Sequence, residues 1–272
     1  MPMPDFEFRK NPITGEWVVI APKRGLRPKD NLRIEVACPF CPISLKTIEE
    51  EVSREGSGRD LIRVIKNKFP FSKYHEIVIH SPDHAKNFED LSVEHSRRIF
   101  EAYRSRYNEL KNHGHVYIFH NRGKNAGESL GHAHTQIVVM PSQISVTSKP
   151  LGEPDNNILV TKFYRLYAPS YSQWPGELWV VPKDRYQTFG DLTDSSLYEL
   201  SDVVRELIKI IKDRIEDEPA YNFYIYPGKD WYLRLIPRAK VLGGFELASN
   251  IYVNTVDPEE VKNYVKEKFR LS

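Results

Sequence analysis

Cysteine is nearly absent from this chain: 272 residues hold only Cys38 and Cys41, both in "CPFC". A disulfide framework is thereby excluded as the main source of stability. No apolar run is long enough to cross a bilayer, so no membrane partner is expected. The opening "MPMPDFEFRKNP" has no apolar core, so it does not read as a secretory leader, and a cytoplasmic location is expected. A surplus of either charge is missing too: 39 basic and 37 acidic residues leave a net charge of +2. That balance provides no basic footprint for nucleic acid. What remains is a chain long enough for one large or two medium domains, with 40% hydrophobic and 28% charged residues, ordinary for a globular protein.

The sequence repeats itself weakly. "HEIVIHSPDHAKNFEDLS" and "GELWVVPKDRYQTFGDLT" each read as a strand, a turn with Asp, and Phe-x-Asp-Leu-Ser/Thr. Asp83, Phe88, Asp90 and Leu91 match Asp184, Phe189, Asp191 and Leu192 at one constant offset. Ser92 and Thr193 stand at N-cap positions, and an apolar-periodic stretch follows each. The pattern predicts helices over about Val93–Asn112, Asp194–Ile215 and Pro258–Phe269, with strands between them. Two α+β units are expected, residues 1–160 and 161–272, with the loop-like Ser142–Asn157 as the boundary region.

The polar chemistry is concentrated in the first copy. "GHAHTQIVVMP" reads as a strand ended by Pro141. Alternation puts His132, His134 and Gln136 on one face, with Ala133 and Thr135 on the other. Three polar groups on one strand face are costly to bury without a metal, a ligand or a hydrogen-bond network. Directly before them, "NRGKNAGESLG" (Asn121–Gly131) can present backbone N–H groups to phosphate oxygens. A phosphate held there would lie beside His134, whose neutral imidazole is a competent nucleophile near neutral pH. Gln136 could donate to the nonbridging oxygen as charge develops. The second copy ends in "DWYLRLIPR" and has no histidine.

For "CPFC" the residues leave several readings open: a redox dithiol, a zinc half-site, or a buried pair of thiols. Pro39 and Pro42 do not suit the helix start that a thioredoxin-like dithiol requires. A zinc site needs two further ligands, and His84 and His132 are among nine candidates.

The stretches "NPITGEWVVIAPKRGLRPKD", "CPFC", "NKFP", "SPDHAKNFEDLS", "FHNRGKNAGESLGHAHTQ", "SQWPGELWVVPK" and "GGFELASN" together resemble the galactose-1-phosphate uridylyltransferase family of the histidine-triad superfamily. The resemblance runs in order along nearly the whole chain, and H-x-H-x-Q after a Gly/Ser loop, together with C-x2-C and the SPDH turn, is highly specific. It implies an α+β fold of two fused histidine-triad-like domains, each an antiparallel sheet with a long helix. It implies a nucleotidyltransferase that moves a nucleoside monophosphate from a nucleotide sugar to a hexose 1-phosphate through a nucleotidyl-histidine. By position His134 would be the nucleophile, with Gln136 and Ser129 beside it as catalytic residues. Cys38, Cys41, His84 and His132 would hold one structural zinc. Asn121, Gly127, Glu128 and Ser129 would fall on phosphate and ribose contacts, and Arg24, Arg27 and Asn67 near the nucleotide. Lys240, Phe245 and Glu246 would fall near the hexose, in a site that the family often completes across a homodimer.

This sequence departs from the family pattern in places. Ala133 stands where proline is usual, and Asn67-Lys68 where Asn-Asp is common. "YPGKDWYLRLIPR" lacks the histidines of a second metal site, so no second metal is expected. These departures, with "GGFELASNIYVN", also resemble the relatives that phosphorolyse ADP-glucose. An ADP-sugar or dinucleotide phosphorylase is therefore the alternative enzyme, and a zinc-stabilised nucleotide-binding module the non-catalytic one.

Overall fold

Runs of β-branched and aromatic residues build most of the chain into strands. The computed structural model describes residues 5–27, 38–41, 50–144, 152, 154–214 and 220–271. A two-stranded hairpin, β1 (Glu7–Lys10) and β2 (Trp17–Ile20), stands apart from the main sheet. That sheet comprises β3 (Glu51–Glu55), β4 (Ile62–Lys66), β5 (Tyr74–Ile79), β6 (His115–Arg122), β7 (His134–Met140), β8 (Asn157–Val160), β9 (Tyr164–Tyr167), β10 (Leu178–Pro182), β11 (Tyr221–Ile225) and β12 (Leu233–Pro237).

The strand order is β3-β4-β5-β7-β6-β11-β12-β10-β9-β8, and every neighbouring pair is antiparallel. Read outward from the β6–β11 seam, the two halves have the same order, as the repeat in the sequence requires. The expected pair of antiparallel sheets is thus fused into one, with Ile118 opposite Ile225 and Asn121 opposite Asn222 at the join. The unit boundary drawn at 160/161 falls between β8 and β9, which pair with each other. That pairing favours a division ahead of β8, in a boundary stretch of which residues 145–151 and 153 lie outside the described residues.

Each long helix starts where its cap stands. The Ser92 side chain accepts the His95 N–H at 3.2 Å ahead of α1 (Val93–Leu110). Thr193 Oγ1 accepts the Ser196 N–H at 3.3 Å ahead of α2 (Asp194–Arg214). The repeated Phe-x-Asp turns have a shared job. Asp90 accepts the Asn87 N–H at 3.0 Å, and Asp191 accepts the Thr188 N–H at 2.8 Å, closing a capping box in each half. The short α3 (Gly244–Ser249) was not anticipated; its Glu246 closes a third such turn on the Gly243 N–H. The chain closes with α4 (Pro258–Lys268).

Helices α1 and α2 cover one face of the sheet. Phe88, Phe100, Tyr103, Phe189, Leu200, Val204 and Phe223 belong to the continuous core beneath them. Arg97 binds Asp202 through two contacts of 3.1 and 2.5 Å, tying α1 to α2. The other face of β5 and β7 carries a separate small cluster of Phe40, Ile65, Ile77 and Ile79. On this face, opposite α1 and α2, lie His134 and Gln136.

Candidate active site and metal centre

Strand β7 begins at His134, so the polar trio is only partly in regular strand. His134 lies opposite Ile79, and Gln136 opposite Ile77 on one side and Phe119 on the other. Thr135 points the other way, under α1, where its hydroxyl meets Tyr103 at 2.6 Å and His80 at 2.9 Å. His132 precedes the strand and turns aside, so its backbone rather than its ring serves His134. His134 Nδ1 donates to the His132 carbonyl at 2.8 Å. That bond places the ring proton on Nδ1 and leaves the Nε2 lone pair available; Nε2 bonds to no described residue. His120 Nδ1 donates to the His134 carbonyl at 2.8 Å and braces the strand from behind.

His134 is 6% exposed, with the Phe40 ring edge-on to its own at 5.2 Å. The open exposure expected of a nucleophile is therefore not met: the "CPFC" knuckle lays its own aromatic against the ring. Burial also holds the His134 pKa down to about 4, so the imidazole is neutral at ordinary pH.

The glycine loop differs in detail from a uniform phosphate cradle. The N–H groups of Ala126, Gly127 and Glu128 are spent inside the loop, on the carbonyls of Gly123 and Lys124 at 3.0 to 3.3 Å. The Glu128 carboxylate accepts the Gly123 N–H at 2.7 Å and Arg122 at 3.0 Å, so it props the loop. Gly127 adopts φ +80°, a left-handed conformation suited to glycine. The N–H groups of Ser129, Leu130 and Gly131 donate to no described residue. These successive donors, just ahead of His132 and His134, form the part of the loop that can hold an anion. Asn121 lies across the seam from Asn222, whose Nδ2 donates to Asn121 Oδ1 at 2.8 Å and to the Ala126 carbonyl at 2.9 Å. The second half of the chain therefore supports the first half's loop.

Cys38, Cys41, His84 and His132 converge, with their ligand atoms all within 4.8 Å of one another. Zn–S near 2.3 Å and Zn–N near 2.0–2.1 Å in a tetrahedron put sulfur and nitrogen about 3.5 Å apart. The contacts here are 3.7 Å for Cys38 Sγ to His132 Nδ1, 3.6 Å for Cys41 Sγ to His132 Nδ1, and 3.5 Å for Cys41 Sγ to His84 Nδ1. His132 Nε2 donates to the Ser81 carbonyl at 2.7 Å, which leaves Nδ1 free to ligate. Burial pushes the Cys38 thiol up to about 11, and a metal would replace that proton. The donor set fits zinc in a closed structural site.

On the nucleotide side, Arg24 donates to the Phe69 carbonyl at 2.6 Å and lies 4.6 Å over the Phe71 ring. Burial and the neighbouring Arg27 bring the Arg24 pKa down to about 10. Arg27 Nε donates to the Arg24 carbonyl at 3.3 Å. Asn67 is fixed by the Phe69 N–H on its Oδ1 at 2.8 Å. His75, which the sequence reading passed over, joins this group to the strand: its Nε2 lies 2.9 Å from Asn67 Nδ2 and 3.0 Å from Gln136 Oε1. The available signal was its place on β5, sharing the face of Ile77 and Ile79 at spacing two. The hexose-side residues share no hydrogen bond with this cluster among the described residues. Lys240 pairs with Glu246 and donates to the Val253 carbonyl at 2.6 Å, while Phe245 is 57% exposed.

Acid should unfold this site. Burial lowers His75 and His120 to about 3 and His134 to about 4, and drives His80 well below its ordinary value. Unfolded, these imidazoles titrate near about 6.5. Between those values the unfolded chain binds more protons, so stability falls as pH drops from about 6.5 toward 3. Thermal midpoints measured from pH 7.5 down to 4.5 should decline steadily below about 6.5; a flat profile would contradict the buried neutral rings.

Residues 74–142 match the family model described as galactose-1-phosphate uridyl transferase, N-terminal domain. The chain is similar to galactose-1-phosphate uridylyltransferases and to an ADP-glucose phosphorylase. It is 26% identical to the ADP-glucose phosphorylase of Arabidopsis thaliana, with 96% of this chain and 92% of that protein covered. To the galactose-1-phosphate uridylyltransferase of Thermotoga maritima it is 23% identical, with 96% and 98% covered. Among solved structures, the Arabidopsis ADP-glucose phosphorylase with bound ADP-glucose superposes with a TM-score of 0.74 at 26% identity, covering 97% of this chain and all of that one. A uridylyltransferase structure has a TM-score of 0.76 at 21% identity, covering 96% and 97%, which establishes the shared fold. The glycine loop and the H-x-H-x-Q stretch both fall within the matched residues 74–142. No helix among the described residues is long and apolar enough to cross a membrane.

Proposed function

We propose that the chain transfers a nucleoside monophosphate from a nucleotide sugar to an acceptor through a nucleotidyl-His134 intermediate. The observation that carries this is the His134 ring itself: Nδ1–H is pinned on the His132 carbonyl at 2.8 Å and Nε2 is left unbonded, and the free N–H groups of Ser129–Gly131 come just ahead of it in the chain. The Nε2 lone pair attacks the α-phosphorus. The bond from phosphorus to the bridging oxygen breaks, and the sugar 1-phosphate leaves with the electron pair. The Nδ1 proton stays on the ring, and the His132 carbonyl stabilises the positive charge there. An acceptor oxygen then attacks the same phosphorus, and the P–N bond breaks back to Nε2. In this reading the zinc is structural: with four protein ligands it leaves no open position to activate water.

Two acceptors compete. A hexose 1-phosphate with a uridine nucleotide is the leading reading, a UDP-glucose–hexose-1-phosphate uridylyltransferase. Inorganic phosphate with an adenine nucleotide is the second. The similarity to Arabidopsis ADP-glucose phosphorylase and the Asn67-Lys68 pair favour that second reading. Burial of His134 beneath Phe40 is the observation on the side of a non-catalytic nucleotide-binding module.

One experiment separates all of them. Incubated with labelled UDP-glucose or ADP-glucose, the protein should take label onto itself, and label should exchange between nucleotide sugar and sugar 1-phosphate with no second substrate present. Double-reciprocal plots should be parallel. Intersecting lines with no exchange and no label on the protein would mean direct transfer between two bound substrates, and no label together with no turnover would leave only the binding module. Label from one nucleotide sugar alone would assign the base.

The hexose side has the character of an unfinished surface. Val241, Phe245, Leu247, Ile251 and Val253 are all at least 49% exposed along one short segment. We read this as the place where a second copy completes the site. Size-exclusion chromatography with light scattering should give twice the 31.7 kDa chain mass; a monomer at micromolar concentration would remove this part of the proposal.

A further inference from the structure

His75 is 4% exposed and stands between the two parts of the site. Its ring packs edge-on against Phe71 at 4.5 Å, and its carbonyl accepts the Asn67 N–H at 2.8 Å. One ring nitrogen, Nε2, faces both Gln136 Oε1 at 3.0 Å and Asn67 Nδ2 at 2.9 Å. It cannot donate to the first and accept from the second at once. The other ring nitrogen decides between them. The Phe71 N–H donates to Nδ1 at 3.3 Å, so Nδ1 carries no proton and the neutral ring has its proton on Nε2. Nε2–H then donates to Gln136 Oε1. The alternative tautomer would satisfy Asn67 alone and set a ring lone pair against the Gln136 oxygen.

We infer that His75 is a positioning residue that fixes which end of the Gln136 amide faces the transferred phosphoryl group, an inference that rests on the nucleotidyl-transfer reading above. With its oxygen held by His75, Gln136 presents its NH₂, the end that stabilises an anion. With the carbonyl turned outward instead, the same side chain would repel the charge that develops on phosphorus. The tautomer has a second consequence. The Asn67 NH₂ finds no acceptor in the ring, and its Oδ1 is already bound to Phe69. Asn67 is left as a donor seeking an acceptor, which a nucleotide's ribose or base oxygen can provide. A single neutral ring thus arms one donor for the phosphoryl group and one for the nucleoside.

Burial and the nearby Arg24 and Arg27 hold the ring neutral, with a pKa of about 3, so the assignment persists across the working pH range. The Gln136 bond raises that pKa and is outweighed.

The test is a double-mutant cycle with a spectroscopic check. His75→Leu should slow protein labelling by nucleotide sugar about 10²-fold, as should Gln136→Ala, by loss of one transition-state donor. The effect should fall on the rate of labelling and not on half-saturation. Because His75 acts through Gln136, the double variant should be no slower than Gln136→Ala alone. His75→Gln, which can still donate an amide N–H, should recover most of the loss. In the wild-type protein, ¹⁵N shifts of the His75 ring should report the Nε2–H tautomer. Multiplicative losses in the double variant, or an Nδ1–H tautomer, would overturn the inference. The tautomer measurement needs no variant to fold and no turnover. A wild-type protein that takes no label therefore counts against the proposed reaction, while the ring assignment is still decided.

Discussion

Replacing His134 with alanine should abolish transfer of label to the protein and reduce turnover by roughly 10⁴-fold or more, the scale seen when an enzyme loses its nucleophile. The reason is chemical. Among the described residues on this strand, His134 combines an unbonded Nε2 with a pinned Nδ1–H, and no second ring duplicates it. His132 cannot substitute, because its Nδ1 faces Cys38 and Cys41 and its Nε2–H is held by the Ser81 carbonyl. Folding should be little affected, since alanine keeps the backbone bonds at 134 and removes a buried polar group. The measurement is single-turnover labelling of a variant whose circular dichroism and melting midpoint match the wild type. Near-wild-type labelling of such a variant would place the chemistry on another residue.

The second large effect is on stability. Protein purified without chelator should hold one zinc per chain, and Cys38→Ser should lose it and melt about 5 °C lower, corresponding to roughly 3 kcal/mol in a chain of this size. The loss is structural: the metal would join "CPFC", the His84 turn and the entry to β7 at a single point. Without it, Phe40 loses its anchor against the His134 ring. His132→Ala should behave similarly, with lost metal and misplaced chemistry, whereas His134→Ala should keep its zinc. Metal analysis together with melting curves distinguishes them. A wild-type preparation with no bound metal, or a Cys38→Ser variant that keeps both zinc and wild-type melting, would refute the assignment.

The sequence alone carried the periodic and local information. The α1 and α2 starts follow from Ser92 and Thr193, because a cap acts within one turn. The repeat was legible because matched Phe-x-Asp turns close matched capping boxes through Asp90 and Asp191. The alternation of His134 and Gln136 followed from strand geometry, and "CPFC" announced a half-site by its spacing. Everything that required bringing distant segments together was decided by the tertiary structure. Fusion of the two halves into one sheet depends on β6 meeting β11, a pairing of strands about a hundred residues apart that no local pattern encodes. Composition and spacing left His84 and His132 among nine histidines; the family resemblance named them, and the tertiary structure brings their three separate segments together. His132 left the strand face because its ring is drawn to the cysteines, an interaction invisible to alternation. His75 went unread because one histidine on an apolar strand means little until the register of β5 against β7 sets it beside Gln136. Alternation in a strand reports which face a side chain takes; what waits on that face is set by how the strands pair.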